Sequence, residues 1–337
     1  MRLTALVEGQ GHVCCRYRLA AFRPFLEAAG HSLNLRPWPR RAWHWPALLR
    51  ELRQADVTII QRRLLPGWLL ALVRRSSRFL VFDLDDAVFL RDSYSPRGLH
   101  CPRRLRRFAA VCRAADAVAA GNHFLADAAD RHAGPGRGHV IPTCVDPLRY
   151  PVARHERAGE GVELVWVGSS STLQGLMAVR PLLENLGVRH PGLRLKLVCD
   201  RFFHLDHLPV VPCPWSEASE PAAIAAADVG ISWVPDDLWS RGKCGLKVLQ
   251  YMAAGLPVVA NPVGVQAEMV RHGETGFLAG TPEEWAEAVG RLARDPELRR
   301  RMGRAGRRRV EEAFAVSVGA GRWLALLGGL GRGRQAA

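Results

Sequence analysis

Lysine is almost missing from this sequence of 337 residues. Three lysines, at 196, 243 and 247, stand among 47 basic residues, so 44 are arginine. So lopsided a choice marks coding bias. Most of the net charge of +15 is then a weak guide to function, and the three lysines are the informative cations. Cysteines at metal or redox spacing are also missing. The eight lie at 14, 15, 101, 112, 144, 199, 213 and 244, with no CxxC, and the adjacent pair suits neither a bridge nor a zinc knuckle. They read as reduced thiols in a reducing compartment. No apolar run is long enough to span a bilayer: the longest, about 64–73, is broken by Pro66 and Gly67. The first residues stop being apolar at Glu8 and show no signal-peptide cleavage site. GxxxxGK[ST] and HExxH are absent, which excludes a P-loop NTPase and a zincin. Arginine clusters at 102–108 and 291–309 come without a helix-turn-helix, zinc-finger or RNP pattern, so no nucleic-acid partner is expected. The expected location is cytoplasmic, with the inner face of an anionic membrane as a candidate peripheral contact.

What is present is a rhythm of short apolar runs and longer amphipathic ones. Runs at 3–7, 57–61, 79–83, 117–121 and 139–143 read as strands buried on both faces, with a first helix over 17–29. The polar, Gly-containing stretch 151–161 reads as a linker. The rhythm then restarts with strands at 162–168, 193–199, 209–213, 228–234, 256–261 and 275–279 and helices at 217–227, 243–254 and 282–294. Two consecutive blocks of this kind predict an α/β chain of two doubly wound, Rossmann-like domains facing a cleft, 1–150 and 162–310. Residues 311–337 form a further helix, a candidate to cross back to the first domain, and a frayed Gly/Arg tail. Ligands of such sheets bind beyond the carboxyl ends of the strands, which directs attention to residues just after each run.

Three constellations lie there. In SRGKCGLKVLQYM, Lys243 and Lys247 fall one helical turn apart near a predicted helix start, where two ammonium groups and free N–H groups suit a diphosphate. In FLVFDLDDAVF, Asp83, Asp85 and Asp86 follow an apolar strand; three acids so close need a cation, a proton or polar ligands. This second pattern resembles the opening motif of haloacid-dehalogenase-like phosphatases, except at Ala87, and implies an alternative in which Asp83 is the nucleophile, Asp85 the acid/base and Asp236–Asp237 hold magnesium. In VWVGSSSTLQG, Gly168, Ser169, Ser170 and Thr172 form a turn opening a helix, read equally as an anion cradle and as a plain N-cap. His12 sits in the first turn, an isolated histidine without a metal-ligand partner at a telling spacing.

The stretch KVLQYMAAGLPVVANPVGVQAEMVRHGETGFLA resembles the donor block of GT-B glycosyltransferases of the family 4 type (glycosyl transferases group 1). The resemblance is densest over 230–280 and compatible over most of the chain. It implies the GT-B fold and transfer of a sugar from a nucleoside-diphosphate sugar, with retention of configuration and no metal or cofactor. The acceptor would be a glycan, lipid-linked or small molecule. It places Arg241, Lys243, Lys247 and the 168–172 turn on the donor phosphates. Gln250, Asn261 and Glu268 fall on the nucleoside or sugar, and Gly11, His12, Arg16 and Asn122 on the acceptor side. Asp83, Asp85 or Asp86 would orient or deprotonate the acceptor. Two departures stand out. The family's pair of glutamates eight residues apart is here Gly242 and Gln250, and its Arg/Lys pair after the first strand of the second domain has no counterpart in 168–174. A catalytically inactive nucleotide-sugar-binding module is the remaining alternative.

Overall fold

The computed structural model describes residues 1–157 and 161–332. The central part of the expected linker, 158–160, and the end of the expected tail, 333–337, lie outside the described residues. The chain divides into two compact units. Of the described residues, the first comprises 1–144, 237–244 and 316–332; the second comprises 145–157, 161–236 and 245–315. The first boundary therefore falls at 144/145 rather than at 150, and a short piece of the second block belongs to the first unit.

The first unit is a six-stranded parallel sheet: β1 (Arg2–Val7), β2 (Ser32–Pro37), β3 (Val57–Gln61), β4 (Phe79–Leu84), β5 (Ala117–Ala120) and β6 (Gly138–Val140), in the order β2-β1-β3-β4-β5-β6. The inner strands β3, β4 and β5 are apolar at nearly every position because helices cover both faces. The edge strand β2, which is not among the expected strands, alternates buried and exposed residues. The expected helix 17–29 is two helices, Val13–Arg18 and Arg23–Ala28, separated by a 3-10 turn. Leu19 leaves helical geometry, and Pro24 can only start a new helix, not continue one. The helix Val316–Arg332 closes the lower core: Val316, Ala320, Trp323 and Leu327 pack among Phe22, Leu26 and Cys144. The glycines and arginine at 328–332 are helical, not frayed.

The second unit is also a parallel six-stranded sheet: β7 (Glu163–Val167), β8 (Arg194–Cys199), β9 (Val210–Pro214), β10 (Val229–Ser232), β11 (Val258–Ala260) and β12 (Gly276–Leu278), ordered β12-β11-β10-β7-β8-β9. This is the strand order of dinucleotide-binding sheets, with its reversal between β7 and β10. The first unit has the flavodoxin-like order, reversing between β1 and β3.

Residues 151–157 do not hang free as a linker. Ala153 N donates to Ala254 O at 2.9 Å, and His155 Nε2 lies 2.8 Å from Gly255 O. Arg299 and Arg300 of the helix Pro296–Ala313 donate to the carbonyls of Arg157, Arg154 and His155. Burial pushes the His155 imidazole below its ordinary value, and the neighbouring Arg299 and Arg300 push the same way. The unfolded chain then takes up this proton more readily than the folded one, so stability is intact above about pH 6.5 and declines below it, by at most about 1.4 kcal/mol per pH unit for one group. We expect the melting temperature to fall between pH 7 and pH 5.5, and His155→Gln to reduce that fall. Equal pH dependence in the two proteins would refute the assignment.

Candidate functional site

In the first unit the three aspartates after β4 meet two arginines. Asp83 is fully buried. Its Oδ1 accepts from Arg18 Nε at 3.2 Å and Nη2 at 2.6 Å, and its Oδ2 from Gln61 Nε2 at 3.0 Å. Arg18, buried as completely, also donates to Ile141 O and Ala119 O and so ties β4 to β5 and to the segment after β6. Burial pushes the Asp83 carboxyl up against the pull of Arg18. Sealed in this way, Asp83 has no face open to solvent, and Arg18 and Gln61 occupy both its oxygens. This corrects the catalytic role expected for it and removes the nucleophile of the phosphatase alternative.

Asp85 and Asp86 are different. Each keeps part of its side chain exposed, 11% and 20%, and both are held by one guanidinium: Arg62 Nε lies 3.2 Å from Asp85 Oδ1 and Nη2 2.5 Å from Asp86 Oδ2. Arg62 also donates to Cys14 Sγ. It follows β3 directly and has φ +59°, the left-handed region that costs a non-glycine residue energy and concentrates at functional sites. Desolvation pushes the Asp86 carboxyl up, opposed by Arg62 and, more weakly, by Lys243. The cation that three clustered acids require is thus supplied twice by arginine. Nothing in the sequence pairs either arginine with these acids, since Arg18 and Arg62 lie 65 and 24 residues from Asp83 and Asp86.

The remaining residues expected on the acceptor side lie at carboxyl ends of the same sheet. Gly11 and His12 follow β1. His12 Nδ1 accepts from Cys14 N at 3.4 Å and caps the helix Val13–Arg18. Within that helix, the Arg16 guanidinium lies 5.3 Å above the Tyr17 ring. Asn122 follows β5 and is buried. Its Oδ1 accepts from Leu125 N, and its Nδ2 donates to Arg241 O at 3.3 Å and Lys243 O at 3.0 Å. Asn122 therefore fastens the segment 237–244 to the first unit, a structural role.

That segment explains one departure from the family pattern. A Cβ at Gly242 would lie 2.6 Å from Ala87 Cβ and 2.9 Å from Ala87 N. The two unusual residues, Gly242 and Ala87, are small because they touch, and no carboxylate fits at 242. Gly242→Glu is expected to lower stability by about 1–3 kcal/mol through overpacking, read as a shift of the urea midpoint; an unchanged midpoint would show that the contact yields freely. Gly245 follows at φ +63°, and only beyond it does the helix Leu246–Ala253 begin. The helix expected from 243 is thus shorter. Lys243 is not on it and does not share a face with Lys247. Its Nζ lies 5.5 Å from the Trp239 ring centroid.

In the second unit, Lys247 reaches the switch point of the sheet. Its Nζ is 3.8 Å from the centroid of the Trp166 ring, on β7, and 3.5 Å from Thr172 Oγ1. Such a cation over an indole face is held by the ring's negative quadrupole. The turn after β7 runs through Gly168 into the helix Ser170–Ala178, with Ser169 and Thr172 forming a capping box. Ser170 N and Oγ donate to Asp200 at 2.6 and 2.8 Å. Asp200 follows β8, and these bonds hold its carboxyl below the ordinary range. Asp200, which no motif in the sequence marks, answers part of the N-terminal charge of this helix with a protein carboxylate.

Gln250 is buried, and its Nε2 donates to Glu220 Oε1 at 2.7 Å; Glu220 Oε2 accepts from Trp215 Nε1 at 2.5 Å. A glutamate at 250 would face Glu220 across that distance, so the amide is the residue this neighbour tolerates. Asn261, after β11, clamps Val234: Oδ1 accepts from its N–H at 3.0 Å and Nδ2 donates to its carbonyl at 2.7 Å. Gln266 Nε2 bonds the same Asn261 Oδ1 at 3.1 Å. These bonds give Asn261 a structural role at the strand end. Glu268 is exposed on the short helix Val265–Met269. Asp237 caps its own short helix by accepting from Ser240 N at 2.8 Å. All eight cysteines are free thiols. Among the described residues no helix is long and apolar enough to cross a membrane.

Residues 238–309 match a family model described as glycosyl transferases group 1. Over 72 residues the chain is 39% identical to N-acetyl-alpha-D-glucosaminyl L-malate synthase of Bacillus anthracis, covering 21% of this chain and 19% of that one. Over 201 residues it is 31% identical to D-inositol 3-phosphate glycosyltransferase of Acidothermus cellulolyticus, covering 50% and 42%. The matches thus span about a fifth to two fifths of these relatives' length. Among solved structures, HepE of Anabaena in complex with UDP and glucose superposes with a TM-score of 0.69 at 18% identity, covering 98% of this chain and 100% of that one.

Proposed function

From a chain of the group 1 glycosyltransferase kind, folded as the two Rossmann-like units of the GT-B architecture, we propose a glycosyltransferase that moves a sugar from a nucleoside-diphosphate sugar to an acceptor hydroxyl. One observation carries this reading: Lys247 stands over Trp166 and Thr172 at the carboxyl end of β7, where the second sheet reverses its strand order. A diphosphate leaving group needs charge stabilisation above all. Lys247 supplies a compact cation, and the turn 168–172 supplies hydroxyls beside it. HepE was solved with UDP and glucose, which supports a nucleotide sugar as the donor class. Gln250, on the same helix as Lys247 and held by Glu220, and the exposed Glu268 are the groups for the sugar or ribose. On the acceptor, Asp85 and Asp86 take the role of orienting the hydroxyl and accepting its proton, with Arg62 setting their charge. Lys243 is reassigned from the donor phosphates to the neighbourhood of Asp86. Transfer with retention and without a divalent metal completes the proposal.

The test is a thermal-shift screen of UDP, GDP, ADP and TDP against the full chain. A diphosphate at 100 times its dissociation constant adds about 2.7 kcal/mol of stability. Lys247→Ala is expected to weaken diphosphate binding by about 1.5–3 kcal/mol, with nucleoside alone little affected. Equal loss for the nucleoside would overturn the phosphate role. Stabilisation by a nucleotide, without turnover of any nucleotide sugar, would favour the binding module, a reading that the closed, side-chain-free position at Gly242 supports.

A further inference from the structure

The first unit contains a cleft of about 960 Å³ beside the Asp85–Asp86 pair, lined by Arg62, Arg91, Arg97, Arg103, Arg104 and Arg107 with no acidic side chain in its lining. Gathering six guanidinium groups round one hollow costs energy through mutual repulsion. Coding bias explains many arginines in a chain, but not their convergence on one concavity free of carboxylates.

The local backbone adds to the same field. The helix Pro102–Ala114 begins at this cleft. Its first turn carries no acid, although an acid is the residue that a helix start favours; Arg103 and Arg104 stand there instead. Cys101, its N-cap residue, has its thiol held below the ordinary value by the Arg104 backbone N–H and the nearby arginines, so the position favours negative charge. Several of the arginines are fixed in place. Arg91 Nη1 donates to the carbonyls of Arg97 and Gly98 at 2.9 and 3.3 Å, Arg104 to Leu90 O, and Arg62 is held by Asp85 and Asp86. Trp239 and Val88 line the same hollow and give it an apolar wall.

We propose that this cleft is the acceptor subsite and that the acceptor carries two or more phosphate-type oxyanion groups. Planar guanidinium forks match such oxyanions bidentately. Arg62 belongs both to the cleft and to the carboxylate pair, so an anion seated here has its neighbouring hydroxyl beside Asp85 and Asp86. The word acceptor rests on the glycosyltransferase reading; the anion site does not. A hollow with an aromatic wall suits an inserted molecule better than the flat surface of a bilayer.

The probe is inorganic pyrophosphate, titrated calorimetrically into the full chain carrying Lys247→Ala, which weakens the competing donor site. Binding is expected, weaker at higher salt, and at least tenfold weaker when Arg103→Gln and Arg107→Gln are added. The Arg103→Gln/Arg107→Gln variant with Lys247 intact is expected to bind nucleoside diphosphate as the wild type does, which also shows that it folds. Pyrophosphate affinity unchanged by the two arginine substitutions would overturn the proposal. So would arginine-dependent sedimentation with phosphatidylglycerol vesicles, but not phosphatidylcholine vesicles, in the absence of pyrophosphate binding, because the partner would then be a membrane surface. Arginine-dependent pyrophosphate binding in a chain that binds no nucleoside diphosphate would support the anion site and sink the donor reading instead.

Discussion

Arg18→Met should cost about 3–5 kcal/mol of folding stability, because it leaves the fully buried Asp83 without its counter-charge. Arg18 and Asp83 replaced together by apolar residues of similar volume should cost much less, since a buried pair contributes little beyond the desolvation it repays. Arg18 also bonds two carbonyls, so some loss should persist in the double variant. Urea unfolding of the two single variants and the double variant gives the coupling directly. Additive losses would show that the two side chains do not depend on each other. A small loss for Arg18→Met would contradict the sealed geometry and return Asp83 to the list of accessible carboxylates.

The second large effect concerns Asp85 and Asp86. Asp86→Asn keeps the shape of the side chain and its place near Arg62 but removes a proton acceptor. Transfer is expected to fall by about 10²–10⁴-fold, the usual contribution of a positioned base. Asp85→Asn should show the same effect if it, rather than Asp86, faces the hydroxyl. Nucleoside diphosphate binding should be nearly unchanged in both. If both variants turn over at the wild-type rate, neither carboxylate is the base and the acceptor chemistry lies elsewhere. Asp83→Asn serves as the contrast, with lower stability and no specific loss of turnover in the folded fraction.

The architecture was legible because it depends on local pattern. Parallel strands covered on both faces are runs of apolar residues, and β3, β4 and β7 declare themselves in that way. The edge strand β2 did not, since SLNLRP alternates and ends in proline. The helix expected from Lys243 looked continuous in sequence, but Gly245 breaks it in the left-handed region. A break of that kind is set by the backbone and leaves the periodicity of the side chains intact. The site was less legible for a different reason. The need of three clustered aspartates for a cation could be read at once, but Arg18 lies 65 residues from Asp83 and Arg62 lies 24 from Asp86. Only the fold brings those side chains together, and a chain with 44 arginines offers no hint of which ones they are. Glu220 beside Gln250 and Asp200 beside Ser170 were invisible for the same reason, each being about thirty residues from its partner.

The helix Val316–Arg332 belongs to the first unit, yet it is synthesised after the whole of the second. On the ribosome, Phe22, Leu26 and Cys144 must therefore wait without the cover that Val316, Ala320 and Trp323 give them. The first half of the chain cannot finish folding in the order in which it is made, while the second half can. A nascent chain stalled before residue 316 would present an open apolar face, the kind of surface that chaperones bind and proteases sample. The second unit should accordingly become protease-resistant first during translation, and the first unit only once the helix Val316–Arg332 has emerged. A premature stop in this last helix would be felt in the amino-terminal half of the protein.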